Sequence, residues 1–217
     1  MLIEAIAGRF TRVQGLVAQT LTNLGSLRVA QVEADGDEAT RAGQRFTLSA
    51  HGATGIAPVQ ALPTTAAQWM IWNPNGNVVS AFFDVLGVEL ASGTAGAGGV
   101  VHWVAVGPSF APSTVPTIST ANVLIKNANP VSAHGSKLIC VSAQTLQNTV
   151  SSDWAPLAPM NPTGTILGQT IFEQRDLKGK LVIPPGCGIG LAVISPTGTS
   201  PLYTPYGIWR EYPADME

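Results

Sequence analysis

Three histidines, His51, His102 and His134, are the natural metal ligands of this 217-residue chain. No two stand at H-x-H spacing and no Glu follows within a few residues, so no strand presents a ready ligand pair. The acids offer little more. Asp84, inside Ala81-Phe-Phe-Asp-Val-Leu86, is unusual because a carboxylate among aromatics needs a partner or a raised pKa. Glu89 lies five residues on, facing the opposite side if the strand is regular. Glycoside hydrolysis needs two acids flanking a cleft, and nothing singles out a second. Asp84 therefore reads as an acid at a bulge or interface, paired with Arg or a backbone N–H. There is no G-x-S-x-G elbow, and Ser92-Gly-Thr-Ala-Gly is a turn sequence. The run Gly93–Gly99 is glycine-rich but lacks the lysine of a phosphate loop. The expectation is no catalytic residue, no metal site and no cofactor: a protein that is not an enzyme.

Aromatic side chains are the remaining candidates for recognition. Trp69 and Trp72 are three apart, hence on opposite faces of a strand. Trp103 and Trp209 are isolated, and Trp154, in a proline-rich stretch, is the best candidate for an exposed stacking platform on sugar. Cys140 and Cys187 are too few for a disulfide scaffold and read as free, buried thiols.

These residues must be held by strands. Hydrophobic residues are 45% of the chain, and Gly (23) and Pro (16) are abundant. Charged residues are only 11%, well below the ~25% of ordinary soluble domains, which points to surface buried against copies or partners. A net charge of −2 with scattered Lys and Arg gives no footprint for nucleic acid. No run approaches the ~20 apolar residues of a membrane span, and Met1–Gln14 does not resemble a secretory signal.

The spacing predicts strands at Arg45–Ala50, Ala67–Asn73, Val78–Leu90, Gly99–Val106, Ala121–Lys126, Lys137–Ser142, Thr165–Glu173, Lys180–Ile183, Gly188–Ser195 and Tyr206–Tyr212. Two tight hairpins are expected. One turns at Asn73-Pro-Asn-Gly-Asn77, with Gly76 free to take positive φ; the other turns at Pro184-Pro-Gly186. The apolar run from Gly188 suits a strand covered on both faces, as at a subunit interface. Tyr206–Tyr212 reads as a closing edge strand with Arg210 and Glu211 on opposite faces. The proline-rich stretches Val106–Ala121 and Ser151–Gly164 read as long crossover loops. The fold class is all-β, a jelly-roll-like sandwich or barrel over residues 46–217.

Residues 1–45 differ. Ile3, Ile6, Phe10, Val13 and Val17 begin an apolar series at helical spacing, while Gly8, Gly15 and Gly25 and the Thr and Val content favour an extended arm. Either form leaves apolar groups that a terminal segment cannot bury alone, so these five residues are the expected partner-binding contacts. Glu33–Gln44 is dense in charge and reads as a solvated loop.

Three segments taken in order carry a resemblance. They are Trp72-Asn-Pro-Asn-Gly-Asn77 with the strand after it, Val88–Gly99 with its Ser-Gly-Thr loop, and Leu181–Gly198 with its Ile-Pro-Pro-Gly strand and the closing Trp209-Arg-Glu-Tyr212. Over residues 66–212 the chain resembles jelly-roll virion proteins of tailed bacteriophages. The resemblance implies a homotrimer on the capsid surface, a cement (decoration) protein made in the host cytoplasm and bound to the major capsid protein. A tail or fibre component that binds a receptor or glycan is the alternative. The arm would then clamp the shell lattice or exchange between subunits. No catalytic residue is carried over.

Overall fold

Alternating apolar and polar residues from Arg45 onward produce ten strands among the described residues of the larger of two compact units. The computed structural model describes residues 17–21, 27–31, 37–49, 55–64, 66–93, 99–107, 124–145, 153–159, 172–195 and 201–214. The chain divides into Met1–Glu38 and Ala39–Glu217, the break falling within a short helix α1, Asp37–Arg41.

In the first unit, β1 (Val17–Leu21) and β2 (Leu27–Gln31) form a two-stranded antiparallel ribbon pairing Val17 with Gln31 and Leu21 with Leu27. The helical alternative is thus overturned for these residues. Thr and β-branched side chains favour the extended form, and the intervening Gly25 weakens a helix. Of the expected contacts, Val17 opens β1, while Ile3, Ile6, Phe10 and Val13 lie outside the described residues.

The second unit is a sandwich of two five-stranded antiparallel sheets, not closed into a barrel. Its strands are β3 (Arg45–Ser49), β4 (Ala66–Trp72), β5 (Val79–Ser92), β6 (Val100–Val106), β7 (Leu124–Asn127), β8 (Ile139–Thr145), β9 (Ala155–Pro159), β10 (Phe172–Ile183), β11 (Gly188–Ile194) and β12 (Leu202–Pro213). One sheet has the order β10-β5-β12-β3-β7 and the other β8-β4-β11-β6-β9. The pairs β3·β12, β4·β11, β5·β10 and β6·β9 are those of one long hairpin, rolled so that consecutive strands alternate between sheets. That is the jelly-roll connection. Strands β7 and β8 are an insertion at the β6–β9 bend, and they extend the two sheets beside β3 and β4.

Several expectations need correction. The two predicted hairpins join strands of different sheets, so each is an arch across the sandwich. At the first, Asn77 N–H bonds the Pro74 carbonyl (3.0 Å), and Gly76 is not left-handed. At the second, Gly186 has φ 80° and Cys187 N–H reaches the Pro184 carbonyl (3.1 Å), a type II turn with Pro185 first. Strand β12 is central, because the roll inserts the last strand between β5 and β3. Strand β9 occupies part of the predicted loop Ser151–Gly164; an edge strand tolerates Pro156 and Pro159. Phe172 and Glu173, the described end of the predicted Thr165–Glu173, and Lys180–Ile183 belong to the single β10, whose ladder resumes after a bulge. Residues 165–171 and most of Val106–Ala121 lie outside the described residues. The charged loop contains α1, where Ala39 is buried and its carbonyl accepts Gln44 N–H (2.8 Å). Strand β11 is indeed covered on both faces, but by its own chain. Ile189, Leu191 and Val193 enter the sandwich core, while Ala192 joins a second cluster with Met70, Trp72, Val104 and Trp154.

Asn73 clasps one end of the sandwich. Fully buried, it donates from Nδ2 to the Val79 (2.8 Å) and Ile183 (3.0 Å) carbonyls, one carbonyl beside each arch. Its Oδ1 accepts from Asn77 Nδ2 (2.7 Å). Removing this amide leaves two carbonyls without their donor, a cost of about 2–4 kcal/mol. Asn73→Ala is expected to show that loss in urea unfolding. Gly76→Ala, whose added methyl meets nothing within 4 Å, is expected to change stability by less than about 0.5 kcal/mol.

Candidate functional site

The acid singled out by the sequence lies at a break in the ladder. Opposite β12, Val85 pairs with Ile208 and Phe83 with Trp209, so Asp84 is an extra residue. Opposite β10, Val85 pairs with Asp176 and Phe83 with Leu181, so residues 177–180 loop out against Asp84 alone. The bulge corrects the expectation for Asp84 and Glu89. Core residues are Ala81 and Phe83 before it and Leu86 and Val88 after it, so inward parity switches and both acids lie on the outer face.

Two arginines answer Asp84 there. Arg210 Nη2 donates to its Oδ1 at 2.7 Å, and Arg45 Nη2 lies 3.7 Å from Oδ2. Burial alone would lower the pKa of Arg210. The hydrogen bond and charge of Asp84, with Tyr212, outweigh it and raise that pKa above the ordinary value. Asp84 is therefore the bulge acid paired with Arg that its sequence context implied. Glu89 accepts from Thr204 Oγ1 (3.2 Å), a separate contact. A third acid, Glu211, faces inward and is nearly fully buried. It accepts from Trp209 Nε1 (3.0 Å), Lys137 N–H (3.0 Å) and the Ser136 hydroxyl, pinning the segment before β8 to β12.

The arginine pair also backs the β10 bulge. Lys178 (φ 50°) and Gly179 (φ 72°) are both left-handed, and a Cβ built on Gly179 would lie 2.8 Å from Arg210 Nη2. On its other side the bulge shapes a cleft of about 300 Å³ at the flank where edge strands β9 and β10 of the two sheets approach. Trp103, Leu157, Leu177 and Leu181 supply its apolar wall; Arg175, Asp176 and Lys180 supply charge. Sequence reasoning missed this group. Its signal was Glu173-Gln-Arg-Asp-Leu-Lys-Gly-Lys180, five charges in eight residues of a chain otherwise poor in them.

The other candidates do not converge. His102 lies in β6 with Nδ1 3.4 Å from the Val100 carbonyl, His134 is exposed in the segment before β8, and His51 lies outside the described residues. Among the described residues no group of three or more His, Cys, Asp or Glu could hold a metal ion, and no helix is long and apolar enough to cross a membrane. Trp154 is no platform: its indole is buried in the second apolar cluster. Trp69 and Trp72 do face opposite sides, one into each cluster. Cys140 and Cys187 are not joined in a disulfide. Cys140 is buried and Cys187, contrary to expectation, is half-buried at the end of its turn.

Comparison of the chain with models of known families, with curated proteins and with solved structures finds no match.

Removing Asp84 leaves two half-buried guanidinium groups facing each other without their counter-charge. Asp84→Ala is expected to lower stability by about 2 kcal/mol, and the Asp84→Leu/Arg210→Leu double variant to recover part of that loss. Chemical denaturation of the set measures the coupling. On the alkaline side, burial pushes the Cys140 thiol up from 9.0 to about 12 and raises Tyr203 in the same direction. Both groups stay protonated in the fold while the unfolded chain ionises. For Cys140 the stabilisation is whole below pH 9 and lost as pH rises toward 12, and Tyr203 adds a loss of the same sign. Thermal midpoints are expected to fall across that window, and less steeply in Cys140→Val.

Proposed function

We propose that the chain is a non-enzymatic structural protein of a tailed-phage particle, a homotrimeric capsid cement protein. It binds the major capsid protein on the virion surface. The observation that carries this reading is the N-terminal unit, whose described regular structure is a two-stranded ribbon. Such a ribbon alone is marginal in water. Its backbone register pairs Val17 with Gln31, Gln19 with Val29 and Leu21 with Leu27. Scarce charge and the jelly-roll connection agree with the resemblance of residues 66–212 to phage virion proteins. Binding only to the assembled shell stabilises that shell by mass action. The alternative, a tail or fibre component gripping glycan through Trp154, loses its platform because that indole is buried.

The chain is expected to sediment at three times its 22.5 kDa and to be present in hundreds of copies per particle. Deleting residues 1–36, which spares α1 and the buried Ala39, is expected to leave a folded trimer that no longer co-sediments with shells. A monomer, or a truncated trimer that binds shells normally, would remove the case for a trimer or for the arm respectively.

A further inference from the structure

We propose that the cleft between β9 and β10 binds an acidic saccharide, a sugar ring bearing a carboxylate. This inference is independent of the virion reading. The cleft's volume, about 300 Å³, lies at the lower end of ligand sites and suits one or two sugar rings. Trp103 is half-buried, with its inner side packed on the sandwich core and the rest lining the cleft. An indole held in that way offers a rigid face to the C–H side of a sugar ring.

The charged groups around that face match the rest of the ligand. Arg175 projects across the flank toward the other sheet and donates from Nη1 to the Leu157 carbonyl at 3.4 Å. That long bond uses one of its five N–H donors, leaving most of the fork for a carboxylate. Lys180 lines the same cleft and has no hydrogen bond or ion pair among the described residues. Asp176 is only loosely engaged, 3.8 Å from an exposed Lys178, and can accept from ring hydroxyls. Two cations with one acid, beside an indole, select an anionic polyol over a neutral sugar or a purely apolar ligand.

The bulge that presents these groups is an investment in backbone strain. Lys178 is the one non-glycine residue with positive φ among those described, a conformation costing on the order of 1 kcal/mol or more. Turning the chain out at 177–180 lets Asp176 and Lys180 flank one opening, although three residues separate them along β10. The Arg210–Asp84 pair fixes the excursion from behind, through the close approach of Gly179. Asp84 and Arg210 are thus positioning residues for the cleft and touch no ligand.

Titration calorimetry of the full chain with a galacturonic acid trisaccharide, the matching galactose trisaccharide and galactose 6-phosphate tests the assignment. Saturable binding of the galacturonate, about ten-fold or more tighter than the neutral sugar, is expected. Lys180→Glu, at an exposed position, and Arg175→Ala are each expected to weaken it by about ten-fold. Trp103→Leu, which keeps apolar bulk against the core, is expected to abolish it. Galactose 6-phosphate binding as tightly as the galacturonate would reveal a general anion site and overturn the proposal. So would galacturonate affinity unchanged in a folded Lys180→Glu protein, or no saturable heat with any of the three.

Discussion

The structure turns on one extra residue. Side chains alternate across a strand, so a 14-residue β5 with unbroken alternation would carry one parity from end to end. The bulge at Asp84 resets it. Phe83 faces inward to stack on Trp209, with ring centroids 5.3 Å apart, and Leu86 and Val88 face inward beyond the reset. A slip by one residue on either side would send a fully buried set to solvent. The same reset turns a carboxylate outward at the centre of a sheet, where Arg45 and Arg210 of two other strands meet it. Core register, the ion cluster and the β10 excursion are consequences of one insertion.

Side-chain amides complete ladders that strands leave open at the two ends of the sandwich. Beyond Leu191, β11 has no further partner in β4. There Val59 exchanges main-chain bonds with Val193 and Ser195, both at 2.9 Å. Nearby, Gln68 donates to the Ala57 carbonyl and accepts from Val193 N–H. Three residues earlier, Ile56 pairs with Tyr203 of β12, so residues 55–59 strap one sheet to the other. Asn73 does the equivalent work at the arches. Both amides are buried, where hydrogen bonds are strong and unpaired groups costly. The sheets are therefore tied by polar contacts of defined geometry as well as by an apolar core that alone would permit sliding.

Most strands were legible because period-two patterns and turn residues are local. Sheet membership was not, since a Pro-Gly turn looks alike whether it returns a strand to its neighbour or carries it to the opposite sheet. Burial told the centrality of β11 from its apolar run. It did not tell what covers the outer face, because Trp154 and Leu62 are distant in sequence. Prolines hid β9, whose edge position tolerates them. Of the sites, Asp84 was visible as an acid among aromatics. The cleft was not, for Trp103 and Lys180 are 77 positions apart and meet only through the β6–β9 and β9–β10 neighbour relations.

Edge strands invite unwanted pairing, and charges, prolines and bulges are the usual defences. All three are present on this flank: Pro156 and Pro159 in β9, the charge run and the bulge in β10. Edge protection by itself would account for them if the charges merely pointed away from the sheet. They do not all do so. Arg175 pairs across from the inward-facing Leu86 and reaches toward Leu157 of the opposite sheet, and Lys180 lines the same hollow with no partner among the described residues. Nor does protection call for a half-exposed indole behind them. A defence needs charge anywhere along the edge, whereas recognition needs it converging on one volume, and convergence is what the bulge produces.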